Sequence, residues 1–251
     1  MATETRQGTA PEGIPSVWTR PQRARRETPA LSRDQIVAEA IALLDAEGYE
    51  ALSMRKLGAR LNAGATSLYT HVANKEELLE LVVDEIFGEV HSLETADPAQ
   101  WRSAVLDFGR DVRAVMLRHP WVGVVLSSAG LAFLGPHLMR LTEQALALLE
   151  SAGFDDDTAD RVTNTVFTYI IGATSTEAAA LATIARSGLD EQQWTERLMA
   201  AYEAASQPFP RNHRRYVEQR GVNAAGYRDA TFDDELNLIM DGAELRRRRA
   251  R

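Results

Sequence analysis

A polar segment in the first third of the chain carries side chains suited to contact with DNA. Residues 65–72 read Ala-Thr-Ser-Leu-Tyr-Thr-His-Val, which combines short hydroxyl and methyl groups with a phenol and an imidazole. Groups of this size read base edges in the major groove, including the thymine methyl. A phenol can donate to a phosphate, and a lysine in the first turn of a helix joins backbone amides that also favour phosphate. The candidate DNA-contacting residues are Arg55, Ala65, Thr66, Ser67, Tyr69, Thr70, His71 and Lys75.

Two short helices joined by a tight turn are predicted to position these residues. Ser53 suits the N-cap of the first helix, in which leucines recur at helical spacing. Asn62 tolerates the left-handed conformation that the turn needs, and the second helix is predicted over about residues 65–72. The pattern therefore predicts a helix-turn-helix over about residues 54–73, with its second helix in the major groove.

The flanking helices have recognisable start signals. Ser32 and Gln35 have the spacing of a capping box, which predicts the start of the first helix of the chain. Asn74 and Glu77 repeat this spacing and predict the start of a fourth helix, which we expect to end near His91. The candidate DNA-contacting residues thus lie between two well-defined helices.

The pattern alone leaves a second interpretation open, a helical hairpin with polar surface residues, because helix-turn-helix signals are degenerate. The formal net charge of -8 argues mildly against nucleic acid, but charge distribution matters more than the total. Arg55, Lys56, Arg60 and Lys75 surround the helix pair, whereas the acidic residues lie mostly on the preceding helix and its loop. The sequence is therefore compatible with a local positive face on an acidic protein.

Composition limits the class of protein. The 251 residues suffice for one large or two small domains, and 45% hydrophobic with 25% charged residues is typical of globular proteins. The absence of cysteine rules out disulfides and thiolate chemistry. No apolar run approaches the roughly 20 residues needed to span a bilayer, and the start of the chain lacks the apolar core of a signal peptide. We therefore expect a cytoplasmic protein.

Residues 1–30 are polar and interrupted by prolines, which predicts a disordered basic arm. Its arginines cluster toward the end of the arm, at Arg20, Arg23, Arg25 and Arg26. Such an arm can enter a minor groove. A solvated tail is the simpler alternative, and the sequence leaves both open.

The remainder of the chain shows helical periodicity and no convincing strand. Helices are predicted from about Pro98, from Pro120, over Pro136–Leu149, from Asp155 to about Ala185, over Glu191–Ala205 and over Phe232–Arg248. The prolines and glycines of residues 207–229 predict an irregular, mobile segment. We expect an all-α protein of about ten helices, with a DNA-binding domain over 31–91 and a larger helical domain over 92–251.

Specific motifs accompany the helix pair. They are Ile36-x3-Ala40-x2-Leu43-Leu44, Gly48-Tyr49, Leu52-Ser53-Met54-Arg55-Lys56-Leu57 and Ser67-Leu68-Tyr69-Thr70-His71-Val72-x-Asn74-Lys75-x2-Leu78-Leu79. With these motifs, residues 31 to about 91 resemble the amino-terminal domain of the TetR/AcrR family of bacterial transcription regulators. The resemblance implies that Tyr69 and Lys75 contact phosphate. It also implies that Arg55, Thr66, Ser67, Thr70 and His71 meet DNA, and that Ala65 offers only a methyl where a base-reading side chain is common.

The body resembles the tetracycline-repressor type of effector domain. The carrying features are Trp101, Arg118-His119, the helix from Leu141 to Gly153 with Phe154 following, and Tyr169-x2-Gly172. The resemblance implies a homodimer, formed through the helices near residues 157–185 and 232–248. Packing within one chain is the alternative use of these helices.

A small-molecule pocket is expected in this body, because such pockets are mostly apolar with few polar anchors. The candidate pocket residues are His91, Phe108, Val112, Met116, Leu126, His137, Asn164, Phe167, Thr168 and Ile171. The alternative for the apolar members is ordinary core packing. By the resemblance, Leu126 stands where tetracycline repressors have a histidine for the drug–magnesium complex, although His91 matches a drug-contacting histidine. We therefore expect no metal and no cofactor.

These features predict a ligand-responsive DNA-binding regulator. We expect a repressor that binds a palindromic operator as a homodimer and is released by a small hydrophobic effector. The sequence has no Gly-x-Ser-x-Gly elbow, phosphate loop, dinucleotide fingerprint or His-Glu-x-x-His, so an enzyme is not expected. Two alternatives remain: an all-α small-molecule-binding protein without DNA function, and an enzyme whose site assembles only in three dimensions.

Overall fold

The computed structural model describes residues 31–94, 96–128 and 135–249, and within them every regular element is helical. The α-helices are α1 Arg33–Glu47, α2 Met54–Arg60, α3 Ala65–Leu68, α4 Lys75–Gly88, α5 Trp101–Arg118, α6 Trp121–Ser128, α7 Pro136–Ser151, α8 Asp156–Ser187, α9 Glu191–Ala205, α10 Pro210–Glu218 and α11 Ala224–Arg249. Short 3-10 turns cover Tyr49–Ala51 and Pro98–Gln100. The all-α prediction is confirmed, and the basic arm predicted over residues 1–30 lies outside the described residues.

Side-chain caps fix where the helices begin. Ser32 accepts from the Gln35 amide at 3.1 Å while the Gln35 side chain accepts from the Ser32 amide at 2.9 Å, which is the predicted capping box of α1. Ser53 caps α2 as predicted, since its hydroxyl accepts from the backbone amide of Lys56. Asn74 caps α4, with its Oδ1 2.8 Å from the Glu77 amide. These bonds satisfy amides that a helix start leaves free.

A continuous apolar core joins the amino-terminal helices to the body. α4 contacts α1 on one side and α5, α6 and α7 on the other. In the body, α8 packs against α5, α7 and α11. α5 and α11 approach so closely that a Cβ on Gly109 would lie 2.7 Å from Leu236 Cδ2. At the start of α5, the rings of Trp101 and Phe154 meet edge to face with centroids 4.9 Å apart.

Several predicted boundaries are wrong. α3 ends at Leu68 instead of about residue 72, because the chain turns there through Thr70 and His71. α4 ends at Gly88, short of His91. The segment 207–229, predicted to be irregular and mobile, contains α10 and the first turn of α11. The described residues hold eleven α-helices, in agreement with the expected number of about ten. None of them is long and apolar enough to cross a membrane.

We expect Asn74→Ala to lower the free energy of unfolding by about 1 kcal/mol, because the amide of Glu77 loses its cap at the start of α4. Asn74→Ser is the matched control, since serine is an equally good cap and should retain most of the stability. Urea unfolding followed by circular dichroism measures both variants. A serine variant as unstable as the alanine variant would show that capping is not what Asn74 contributes.

Candidate nucleic-acid interface and its connection to the body

The helix pair is held by a small apolar centre and a left-handed turn. Leu57 of α2, Leu68 of α3 and Ile36 of α1 are fully buried in the same apolar core. Asn62 has a φ of 49° between the two helices, which confirms the predicted turn. The Ala63 amide donates to the Gly58 carbonyl at 2.9 Å and closes the turn. The backbone of α3 is thereby fixed relative to α2.

The predicted reading residues face outward from this centre. Thr66, Ser67, Tyr69 and Thr70 are exposed, and His71 is half-buried. Only the start of the set lies on α3, because Tyr69, Thr70 and His71 follow its last residue. The Thr70 hydroxyl donates to the Ser67 carbonyl at 2.6 Å, so it offers outward its methyl group and the two lone pairs of its oxygen. Ala65 is the first residue of α3.

Two cations flank this outward face. Arg55 is exposed in the first turn of α2, and within the described residues no ion pair engages it. Lys75 is the first residue of α4, and its ammonium lies 4.4 Å from the centroid of the Tyr49 ring. A cation over a tyrosine face is attracted by the ring and keeps its N–H donors. Tyr49 was not predicted as part of the site, although it belongs to the quoted Gly48-Tyr49 motif.

The other cations of α2 are neutralised locally. The ammonium of Lys56 is ion-paired with Glu47, and the guanidinium of Arg60 is ion-paired with Glu39. Both carboxylates lie on α1. Of the basic residues that surround the helix pair, Arg55 and Lys75 therefore remain available to a phosphate.

A polar junction ties α1 to the body. The carboxylate Oδ1 of Asp45, near the end of α1, accepts from the indole Nε1 of Trp121 at 2.7 Å. The same oxygen lies 2.7 Å from Nδ1 of His119, whose Nε2 lies 3.2 Å from Glu89 Oε1 at the end of α4. The imidazole of His119 therefore lies between two carboxylates. Three helix ends and the start of α6 thus converge on one buried ring.

A second carboxylate joins α4 to α7. Asp84 is buried on α4, and its Oδ1 accepts from the amides of His137 and Leu138 at 3.0 and 3.1 Å. These are amides of the first turn of α7 that no helical carbonyl satisfies. A Cβ on Gly135 would lie 2.1 Å from Asp84 Oδ1, so glycine permits the contact. His137, a candidate pocket residue, lies half-exposed beside this carboxylate.

The apolar candidates for the pocket lie in or against the core. Phe108, Val112 and Met116 are buried on α5. Phe167 of α8 meets Phe108 edge to face with ring centroids 5.4 Å apart, and it is half-buried. The half-buried Leu126 and Ile171 pack against the same core.

The remaining polar candidates do not join that cluster. The side chain of His91 is 89% exposed, and its Nδ1 lies 2.9 Å from Asp111 Oδ2. Asn164 is exposed and donates to Asp160 at 3.1 Å. Thr168 lines a groove between α8 and α11. The role of these side chains in ligand binding stays a prediction.

An ionic network marks the middle of the α5–α8–α11 contact. The guanidinium of Arg113 donates to both oxygens of buried Glu177, at 2.6 and 2.7 Å, and to Asp229 at 2.7 Å. The hydrogen bonds to Glu177 and then to Asp229 raise the pKa of Arg113 above its ordinary value, against the opposing effect of burial. Arg113 also lies over the ring of Phe232 at 5.0 Å. The network therefore holds α11 in one register against α5 and α8.

Two family models match the chain. The model described as bacterial regulatory proteins, tetR family, matches residues 36–82, which include α2 and α3. The model described as tetracyclin repressor-like, C-terminal domain, matches residues 94–247.

Similar proteins are named as transcription regulators of the helix-turn-helix type. An HTH-type transcriptional regulator of Saccharopolyspora erythraea is 41% identical over 168 residues, which cover 66% of this chain and 70% of the relative. The HTH-type transcriptional repressor DrrR1 of Streptomyces coeruleorubidus is 31% identical over 224 residues, covering 88% of this chain and 80% of the relative. Apo ActR of Streptomyces coelicolor superposes with a TM-score of 0.74 at 27% identity, covering 89% of this chain and 100% of that one. ActR in complex with actinorhodin gives a TM-score of 0.71 at 28% identity, covering 87% and 98%.

We expect Asp45→Ala to lower the free energy of unfolding by about 1–3 kcal/mol, because the buried indole N–H of Trp121 loses its acceptor. Asp45→Asn is the matched control: its amide oxygen still accepts from the indole, so a smaller loss is expected. Urea unfolding gives the stability, and NMR gives the exchange rate of the indole proton, which should rise in the alanine variant. Unchanged stability and exchange in Asp45→Ala would contradict the junction.

Proposed function

Because the chain belongs to the TetR family of bacterial transcription regulators, we propose that it is a repressor that binds a palindromic operator as a homodimer. A small hydrophobic effector in the body releases it from DNA. The observation that carries the proposal is the exposed row of Thr66, Ser67 and Thr70 between two available cations. Such a regulator works in the cytoplasm, where the chromosome lies.

The contacts with DNA divide by chemistry. Arg55, Tyr69 and Lys75 bind phosphates and set the register of α3 in the major groove. Thr66, Ser67, Thr70 and His71 read base edges, and Ala65 contributes a methyl contact. In a two-fold dimer, the two copies of α3 lie about 34–36 Å apart, one turn of DNA, which requires a palindromic operator.

The dimer forms through α8 and α11. Their outer faces border a groove with small residues, among them Gly172, Ala173 and Ala180, which allow close helix approach. Two large apolar side chains are exposed on α11, where Leu238 is 70% exposed and Leu245 is 52% exposed. An apolar face of this kind is what a self-complementary interface buries.

The effector binds in the body, near the aromatic pair of Phe108 and Phe167. The neighbouring apolar residues of α5 and α6 suit contact with a hydrophobic molecule, and His137, beside Asp84 at the α4–α7 contact, is the candidate polar anchor. ActR, which resembles this chain in sequence and fold, is known in complex with actinorhodin. We take a ligand of this general kind as the starting model for the effector.

Release follows from the two carboxylate contacts. Asp84 holds α4 to α7, and Asp45 holds α1 to the start of α6. A ligand that favours a different arrangement of α6 and α7 displaces these contacts and changes the separation of the two copies of α3. The ligand thereby shifts the population away from the DNA-binding state.

Gel-shift assays with DNA from upstream of the protein's own gene test the whole proposal. We expect a shifted band that resolves into a dimer complex on a palindrome, and loss of that band on addition of actinorhodin or of another hydrophobic effector. Absence of binding to any promoter fragment at low salt would contradict the DNA function. Binding that no hydrophobic compound affects would contradict the effector part alone.

We expect Lys75→Ala to weaken binding to all DNA sequences alike and to reduce the slope of log K against log salt by about one, because one phosphate contact is lost. The chain's other lysine provides the control. Lys56→Ala should leave the slope unchanged, since the ammonium is neutralised by Glu47. Fluorescence anisotropy over a series of salt concentrations measures both slopes. Equal slopes for wild type and Lys75→Ala would remove Lys75 from the interface.

A further inference from the structure

The inner face of α9 is incompletely packed. Trp194, Leu198 and Met199 point from α9 toward Leu181 and other apolar residues of α8, yet no residue of α9 is buried. Protein interiors normally pack as densely as organic crystals. The apolar side chains of α8 and α9 face each other across free space, which shows that the contact between these helices is incompletely filled. The gap between α8, α9 and α11 is a cavity of ≈ 220 Å³ that is partly open to solvent.

Hydrogen bonds and ion pairs fix the relative positions of the helices that line this cavity. The side chain of Gln192 on α9 donates to the Val222 carbonyl at 3.3 Å and accepts from the Ala224 amide at 3.1 Å, which anchors the turn before α11. Arg228 of α11 is ion-paired with Glu191 of α9 and, at 2.6 Å, with Glu177 of α8. Because Glu191 and Gln192 are the first two residues of α9, these contacts fix the start of α9 against α8 and α11, so this end of the cavity is preformed.

The charges in the wall cancel one another. Glu177 is met by Arg113 and Arg228, and Glu191 is met by Arg228. A charged ligand would lose its hydration and find no free opposite charge, which is costly in an apolar site. Tyr227 accepts from Gln219 Nε2 at 2.7 Å, which leaves its own phenol proton to donate. The chemistry therefore suits a neutral molecule with one hydrogen-bond acceptor.

We propose that this cavity is a second small-molecule site, which takes a neutral bicyclic aromatic ligand with an acceptor atom for Tyr227. A dry apolar cavity of about 150 Å³ holds one benzene ring, so a larger one accommodates two fused rings. The site is separate from the effector site proposed above, because Phe167 and Leu181 are about 20 Å apart along α8. Trp194 supplies an aromatic wall for stacking.

Binding of 6-fluoroquinoline, followed by the width of its fluorine NMR signal, tests the site at a pH where the compound is neutral. Met199→Trp fills the cavity and should weaken binding at least tenfold. Met139→Trp, an exposed position on α7, is the matched control and should bind as the wild type does. The carboxylate derivative of the same quinoline should bind at least tenfold more weakly than the parent compound.

Tyr227→Phe gives a second test, in which the fold is preserved because the phenol is largely exposed. This variant should weaken 6-fluoroquinoline several-fold and leave 2-fluoronaphthalene, which has no acceptor nitrogen, unchanged. No broadening with wild type, or equal binding by Met199→Trp, would overturn the proposal. If wild type fails to bind and Met199→Trp also converts the dimer to monomers in sedimentation, the face of α9 that carries Met199 belongs to the subunit interface. That result would replace the proposed ligand site with a protein contact.

Discussion

The burial of α4 between α1 and α7 is the constraint on which the rest of the structure depends. Nine of its fourteen residues are buried, including Glu80 and Asp84. A surface helix buries one stripe, whereas a helix buried around most of its circumference has packing partners on every side. Because interiors are close-packed, α4 cannot shift without moving the helices on both sides. The DNA-reading pair and the body are therefore mechanically one unit.

Two carboxylates give this mechanical unit a defined geometry. Apolar contacts alone allow helices to slide, but the bonds of Asp84 to the first amides of α7 and of Asp45 to the indole of Trp121 are short and directional. Because a hydrogen bond weakens steeply as its geometry departs from the optimum, a small shift of the helix breaks it. Such contacts favour two discrete arrangements over a continuum, which is the property that a ligand-controlled switch needs.

Local signals explain what the sequence predicts well. The caps of α1, α2 and α4 and the left-handed Asn62 each depend on residues within a few positions, so the helix-turn-helix and its exposed residues follow from the sequence. The prediction of an irregular segment over residues 207–229 is wrong because prolines and glycines, which normally indicate a loop, also occur within helices. Pro210 instead occupies the first turn of α10, where its missing amide costs nothing, and Gly226 lies inside α11.

The contacts that connect the site to the body have no comparable signal. Asp45 and Trp121 are 76 positions apart, and neither residue type at its place indicates the other. The contact of Asp84 is equally hidden in the sequence. A carboxylate on an otherwise apolar helix face is explained only by the amides at the start of α7 that it accepts from. Such pairings depend on how helices cross, which hydrophobic periodicity leaves undetermined.

The distribution of charge finally explains how an acidic protein can act on DNA. A net charge of -8 repels DNA at long range, but at physiological salt the interaction decays over about 8 Å, so the body contributes little at the interface. On α2, Glu47 and Glu39 neutralise Lys56 and Arg60. Among the described cations around the helix pair, Arg55 and Lys75 have no carboxylate partner, so this face neutralises few phosphates, and non-specific binding scales with the phosphates neutralised. In the complex proposed above, affinity for an operator would therefore come largely from base contacts and from the two half-sites of a dimer, and such a complex would favour its own operator over other DNA.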